Sequence, residues 1–142
     1  MSKKTALITG ITGQDGAYLA KFLLEKNYKV YGTFRRLSTP NFWRLAHLGI
    51  EKNIQYIPAD LIDNSSLIEA LKISKPDEVY NLAAQSYVGS SFDNPITSGE
   101  YSGISVLRML EGIRLINPEI KFYQASTSEL FGKVKESPQN EE

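Results

Sequence analysis

Ala6-Leu7-Ile8-Thr9-Gly10-Ile11-Thr12-Gly13-Gln14-Asp15-Gly16 decides the fold, because an apolar run leads directly into three glycines at three-residue intervals. A short apolar run followed by such a loop reads as a strand that turns sharply into a helix. The first glycine permits a turn with positive φ, the second lets backbone come close to a phosphate, and the third lets the next helix pack on the strand. Unpaired N–H groups in the first helical turn, at the positive end of the helix dipole, then face an anion. The flanks agree: Tyr18-Leu19-Ala20-Lys21-Phe22-Leu23-Leu24 has helical periodicity, and Lys29-Val30-Tyr31-Gly32-Thr33-Phe34 is a second β-rich run. The unit reads as βαβ with a pyrophosphate socket on Gly10, Ile11, Thr12, Gly13, Gln14, Asp15 and Gly16. An ordinary glycine turn is the alternative.

Outward from this unit, strand and helix alternate without internal repeats or low-complexity linkers. A polar and aromatic loop over residues 35–53 holds a short helix around Phe42 to Leu48. Ile54-Gln55-Tyr56-Ile57-Pro58 reads as a third strand, closed by Ala59-Asp60. Ser66 with Glu69 fits a capping box for a helix ending near Ile73, and Pro76 marks its exit. Glu78-Val79-Tyr80-Asn81-Leu82 is a fourth strand. A helical pattern carrying Ile104, Leu107, Leu110, Ile113 and Ile116 stops at Asn117-Pro118, before a fifth strand, Ile120-Lys121-Phe122-Tyr123-Gln124-Ala125. Strands joined by helical crossovers imply an α/β fold, a Rossmann-like doubly wound parallel sheet of about five strands. Ligands of such sheets sit beyond the carboxyl ends of the strands, so the residues that follow each strand are the candidates.

After the second strand, a site specific for NAD usually places an acidic residue on the ribose 2′-hydroxyl. This chain has Arg35-Arg36 and then Ser38. Two guanidiniums can fork onto a 2′-phosphate, which favours NADP, while a solvated basic loop or an intersubunit contact is the alternative. Asp60 with Leu61 suits an adenine, the carboxylate accepting from the exocyclic amine while the leucine packs on the ring. A surface-turn Asp is the blander reading. Leu82-Ala83-Ala84-Gln85-Ser86 is small where the middle of the cofactor passes, or is simply a tight turn. In Ser126-Thr127-Ser128-Glu129, a hydroxyl can orient a substrate alcohol and a carboxylate can act as general base, although Ser/Thr with Glu is also a helix N-cap.

Composition narrows the function classes. The 142 residues can bury one core, and 16 basic against 16 acidic residues argue against a nucleic-acid partner. Zero cysteines exclude a disulfide framework and thiolate metal sites. His47, the only histidine, reads as a surface or interface residue, so no metal site is expected. Trp43 with Phe42 is expected to pack the loop after the second strand or to meet a neighbouring subunit. Met1-Ser2-Lys3-Lys4-Thr5 leads straight into a strand, and no run approaches the roughly 18 apolar residues of a membrane span. The expectation is a soluble, cytoplasmic protein with no membrane partner.

Taken together, the glycine loop with Gln14-Asp15, Arg35-Arg36, Asp60-Leu61, Leu82-Ala83-Ala84-Gln85-Ser86 and Phe122-Tyr123-Gln124-Ala125-Ser126-Thr127-Ser128-Glu129-Leu130-Phe131-Gly132 resemble the GDP-mannose 4,6-dehydratase family of extended short-chain dehydrogenases/reductases. The resemblance runs from about Thr5 to the end of the chain. Related dTDP- and CDP-glucose dehydratases usually carry Asp-Glu where this chain has Ser128-Glu129.

The resemblance implies an internal redox cycle on GDP-mannose with NADP as cofactor. Hydride leaves C4 of the sugar, the resulting ketone acidifies the C5 proton, water departs across C5 and C6, and the same hydride returns to C6. By position, Thr127 holds the C4 hydroxyl, and Glu129 removes the C5 proton and helps the C6 hydroxyl leave. The resemblance also implies a homodimer or homotetramer at full length, in which the loop Arg35-Arg36-Leu37-Ser38 could reach a neighbour's cofactor. Two departures stand out. The family's principal base is a Tyr with a Lys four residues later, and no Tyr of this chain has one. Pro95-Ile96-Thr97 lies where the family often has a tyrosine against the cofactor. The chain is therefore expected to be an NADP-binding domain over 1–142, truncated before the Tyr/Lys pair, a sixth strand and the substrate domain, and inactive alone. A sugar-nucleotide epimerase or reductase and a non-catalytic NADP-binding module are the alternatives.

Overall fold

The computed structural model describes residues 3–39, 41–127 and 130–140. Among them, β1 (Thr5–Thr9), β2 (Lys29–Phe34), β3 (Gln55–Pro58), β4 (Glu78–Asn81) and β5 (Lys121–Gln124) form one parallel sheet in the order β3-β2-β1-β4-β5. The chain winds outward from β1 through β2 to β3, then restarts at β4 on the other side of β1. That reversal opens a crevice beyond the carboxyl ends of β1 and β4, the place where such sheets bind ligands. The expected doubly wound architecture is what the chain adopts.

Both faces of the sheet are buried, which is why its strands read as apolar runs. Along β1 the side chains alternate: Ala6 and Ile8 join one core with Val30, Ala17, Ala20, Leu23 and Leu45, whereas Leu7 joins the opposite core with Val79, Leu67, Leu71, Met109 and Ile113. Helices α1 (Gln14–Glu25) and α2 (Trp43–His47) cover the first face. Helices α3 (Asn64–Ser74) and α6 (Ser105–Ile116) cover the second. Between β4 and α6 the chain forms α4 (Val88–Asp93), α5 (Pro95–Gly99) and a π turn over Glu100–Ile104. No described helix is long and apolar enough to cross a membrane.

One local expectation is corrected. The capping box at Ser66 and Glu69 does not form, because α3 begins earlier and its N-cap is Asp63, whose carboxylate accepts from the N–H of Ser65 at 3.0 Å. Ser66 instead ties the helix to the end of β3, its hydroxyl accepting from the N–H of Asp60 at 3.1 Å. The apolar stripe is only in part the buried face of α6: Ile113 is in the core and Ile116 packs against it. Leu107 is 63% exposed and Leu110 43%, while Ser105, Met109, Gly112 and Ile113 face inward. Close packing on α3 explains the choice, since a Cβ at Gly112 would lie 3.0 Å from Leu71 Cδ1.

At the amino edge of the sheet, Glu78 gathers three donors. Lys4 Nζ lies 3.1 Å away, Tyr28 Oη donates at 3.3 Å and Tyr80 Oη at 2.8 Å. Burial pushes the Glu78 carboxyl up, but the hydrogen bonds from Tyr80 and Lys4 outweigh it and hold the group below its ordinary value. Burial, reinforced by the Glu78 carboxylate, pushes the Tyr80 phenol up to about 12. This cluster ties β1 to β4 at the end of the sheet away from the crevice.

Candidate functional site

The glycine loop takes the form its spacing predicts. Gly10 has φ +69°, and a Cβ there would lie 3.0 Å from the backbone of Ala83, so the loops after β1 and β4 meet backbone to backbone. Gly13 N–H donates to Gly10 O at 2.9 Å, and Gly13 becomes the N-cap of α1 with no side-chain cap. The N–H groups of the first turn are therefore left for a ligand. Gly16 is buried, and a Cβ there would run into the Gly10 carbonyl. Only glycine lets α1 start this close to β1.

Around this loop lies an open crevice of about 570 Å³. Of the candidate residues, Gly10, Thr12, Gly13, Arg35, Asp60, Leu61, Leu82, Ala83, Ala84, Gln85 and Ser86 line it. Four strand ends thus bring their following residues to one place. Ile11 does not face it; its side chain is fully buried in the core under α1. Gly16 lies beneath the loop, and Gln14 and Asp15 are exposed on the first turn of α1. Arg36 and Ser38 are exposed and outside the lining. Thr127 is exposed beyond β5, also outside the lining, and its carbonyl accepts from the N–H of Leu130 at 3.3 Å. Glu129 lies outside the described residues.

Asp60 is held in a fixed orientation. Its Oδ1 accepts from the N–H of Ile62 at 3.2 Å and its Oδ2 from Tyr101 Oη at 3.4 Å. Across the floor, Thr9 Oγ1 accepts from the N–H groups of Leu82 and Ala83, both at 3.1 Å, and donates to Asn81 Oδ1 at 2.6 Å. Asn81 Nδ2 then donates to Gln124 Oε1 at 2.8 Å. This ladder joins the ends of β1, β4 and β5 and seats the Leu82-Ala83 backbone against Gly10. Just beyond it, Ser126 adopts φ +63°. A left-handed serine is unusual, and such residues concentrate at functional turns.

Several of these residues carried no signal in sequence. Arg44 donates from Nη1 to the Thr12 carbonyl at 3.1 Å and stacks on Trp43 at 4.4 Å, so a cation on α2 buttresses the glycine loop. Phe42, in contrast, packs the loop after β2 as expected, against Phe34 and Tyr56 at ring separations of 5.3 and 4.8 Å. Trp43 remains 60% exposed. Tyr101, reached through the π turn, and the Thr9-Asn81-Gln124 ladder emerge only when distant strand ends are aligned. Among the described residues, no group of three His, Cys, Asp or Glu side chains could hold a metal ion.

The geometry fits a dinucleotide. Backbone donors at the start of α1 suit a pyrophosphate, Arg35 stands at the lip after β2, and Asp60 and Leu61 stand beyond β3.

Comparison with known proteins gives a consistent answer. The family profile for GDP-mannose 4,6 dehydratase matches residues 7–142. GDP-mannose 4,6 dehydratase of Drosophila melanogaster is 50% identical over 149 residues, covering 98% of this chain and 37% of its own length. That of Cricetulus griseus is 51% identical, covering 98% of this chain and 40% of its own. The chain thus spans about two fifths of the length of these relatives. Among solved structures, UDP-N-acetylglucosamine 4-epimerase of Methanobrevibacter ruminantium, in complex with UDP-N-acetylmuramic acid, superposes with a TM-score of 0.81 at 26% identity, covering 99% of this chain and 43% of that one. UDP-glucose 4-epimerase of Thermus thermophilus, complexed with NAD, gives 0.68 at 25% identity, covering 78% of this chain and 34% of that one.

Proposed function

The chain belongs to the GDP-mannose 4,6 dehydratase family, and on that premise we propose that it is the cofactor-binding portion of an NADP-dependent enzyme converting GDP-D-mannose to GDP-4-dehydro-6-deoxy-D-mannose. The observation that carries this reading is the crevice itself. It joins the glycine loop that opens α1 to Arg35 and Asp60 at the switch point of the sheet. Similarity to an epimerase solved with NAD supports a nicotinamide cofactor, and Arg35 at the lip supports the form with a 2′-phosphate.

When bound, NADP⁺ supplies the acceptor for the C4 hydride and, once reduced, the donor of the same hydride to C6, so the reaction is redox-neutral. The chain's own residues do the rest. The first turn of α1 holds the pyrophosphate, the small Leu82-Ala83-Ala84 run lets the cofactor's middle pass, and Asp60 with Leu61 receives the adenine. Thr127 holds the C4 hydroxyl. Glu129 takes the C5 proton and assists departure of the C6 hydroxyl as water. By the resemblance, a tyrosine paired with a lysine, a pair these 142 residues do not carry, would receive the C4 hydroxyl proton and return a proton to C5 as the hydride enters C6. The whole protein is a cytoplasmic homodimer or homotetramer, a reading supported by the exposed apolar stripe Ile104, Leu107 and Leu110.

The test is product analysis with GDP-mannose and NADP. A full-length version should release the 4-dehydro-6-deoxy sugar, and Thr127→Val or Glu129→Gln should lower turnover about 100-fold or more, as loss of a positioned acid or base does. The 142-residue chain alone should give no dehydration. A C4 epimer, or a reduced sugar with net consumption of NADPH, would make the protein an epimerase or reductase.

A further inference from the structure

Thr97 and Tyr101 both line the crevice, four residues apart on the helical path that runs from α5 into the π turn. Residues at that spacing share one side of a helix. The family resemblance places a cofactor-facing tyrosine where this chain has Thr97, whose short side chain cannot supply an aromatic wall. One turn later, Tyr101 can. Its ring is half-buried, packed against the core under α3 and α6, while its hydroxyl reaches Asp60 Oδ2 at 3.4 Å. Asp60 Oδ1 is meanwhile engaged by the N–H of Ile62. The carboxylate is thus steadied from two sides, and each oxygen keeps a lone pair, since a carboxylate accepts up to about four hydrogen bonds.

We propose that Tyr101 replaces the missing aromatic contact at Thr97 and recognises the adenosine half of the cofactor. Its ring walls the crevice, and its hydroxyl positions Asp60 to accept from the exocyclic amine. Aromatic faces suit a purine because they combine a large apolar area with defined stacking geometry. The π turn is consistent with this placement: such turns occur often at functional sites, where they change the direction in which the following side chains project. The inference rests on the cofactor reading above and adds to it the residue that reads the base.

Binding of NADP and of adenosine 2′,5′-bisphosphate, measured by calorimetry on the 142-residue chain, tests this. Tyr101→Phe keeps the ring and removes the hydroxyl; it should weaken both ligands about threefold. Tyr101→Val removes both and should weaken them about tenfold or more. In an Asp60→Ala background, which removes the acceptor, Tyr101→Phe should cause no further loss, and the urea midpoint of Tyr101→Phe without ligand should match that of the parent. These two readouts separate positioning of Asp60 from simple packing. Equal affinity of the parent and both Tyr101 variants for NADP would overturn the inference while leaving the cofactor reading intact. A parent chain that binds neither ligand would overturn both.

Discussion

Two glycines and one arginine carry most of the site's meaning. Gly10 and Gly16 differ in what they prevent. Gly10 must hold φ +69° beside the Ala83 backbone, whereas Gly16 must leave room for the Gly10 carbonyl. Gly16→Ala should therefore destabilise the chain by about 1–3 kcal/mol, the usual cost of overpacking, seen as a lower urea midpoint with unchanged slope. Gly10→Ala adds backbone strain of about 1–2 kcal/mol to its contact with Ala83 and should also disturb the crevice wall. Arg35 was legible in sequence as the residue after β2, and it lines the crevice. Arg36 and Ser38, equally legible, do not, because the chain turns away after β2 toward the aromatic anchor at Phe42. Arg44 was not legible, since its contact with Thr12 depends on α2 folding back across 32 residues of sequence.

The strands divide their chemistry between two ends. At the carboxyl end, Thr9, Asn81 and Gln124 form a buried ladder that sets the crevice floor. Replacing Asn81 by Leu leaves the Thr9 O–H without its acceptor and the Gln124 amide oxygen without its donor, at a cost of about 1–3 kcal/mol, and should weaken cofactor binding by loosening the Thr9 anchor on which Leu82 and Ala83 rest. Asn81→Asp keeps an acceptor for Thr9 and lets Gln124 turn its amide to donate, so it should be milder in cofactor binding. At the amino end, Glu78 and Tyr80 make stability depend on pH at both extremes. The Glu78 carboxyl is lowered in the folded state, so its contribution is present above the unfolded value and lost as pH falls through the folded one. The Tyr80 phenol is raised to about 12, so its contribution is complete below the ordinary value near 10 and lost as pH rises toward 12. Thermal melting across pH ~9 to ~12 should fall more steeply for the parent than for Tyr80→Phe; parallel curves would contradict the assignment. Periodicity identified these elements well. On α6 it did not single out Gly112, which makes the close approach to Leu71 of α3.

At the scale of the molecule, the fold was legible because each strand was followed by its own punctuation, and the parallel crossovers left little topological choice. The site was half legible. Residues immediately after a strand could be read from position alone, whereas Tyr101 and the ladder require knowing which strand ends become neighbours. Thr127 was readable by position but stands outside the lining of the crevice. The chain spans about two fifths of the length of its relatives. Calorimetric titration with NADP and with NAD tests the proposed cofactor site most directly. The chain should bind NADP about tenfold more tightly than NAD, and Arg35→Ala should remove that preference while leaving NAD affinity unchanged. Equal affinity for the two cofactors, or a preference that survives Arg35→Ala, would contradict the account.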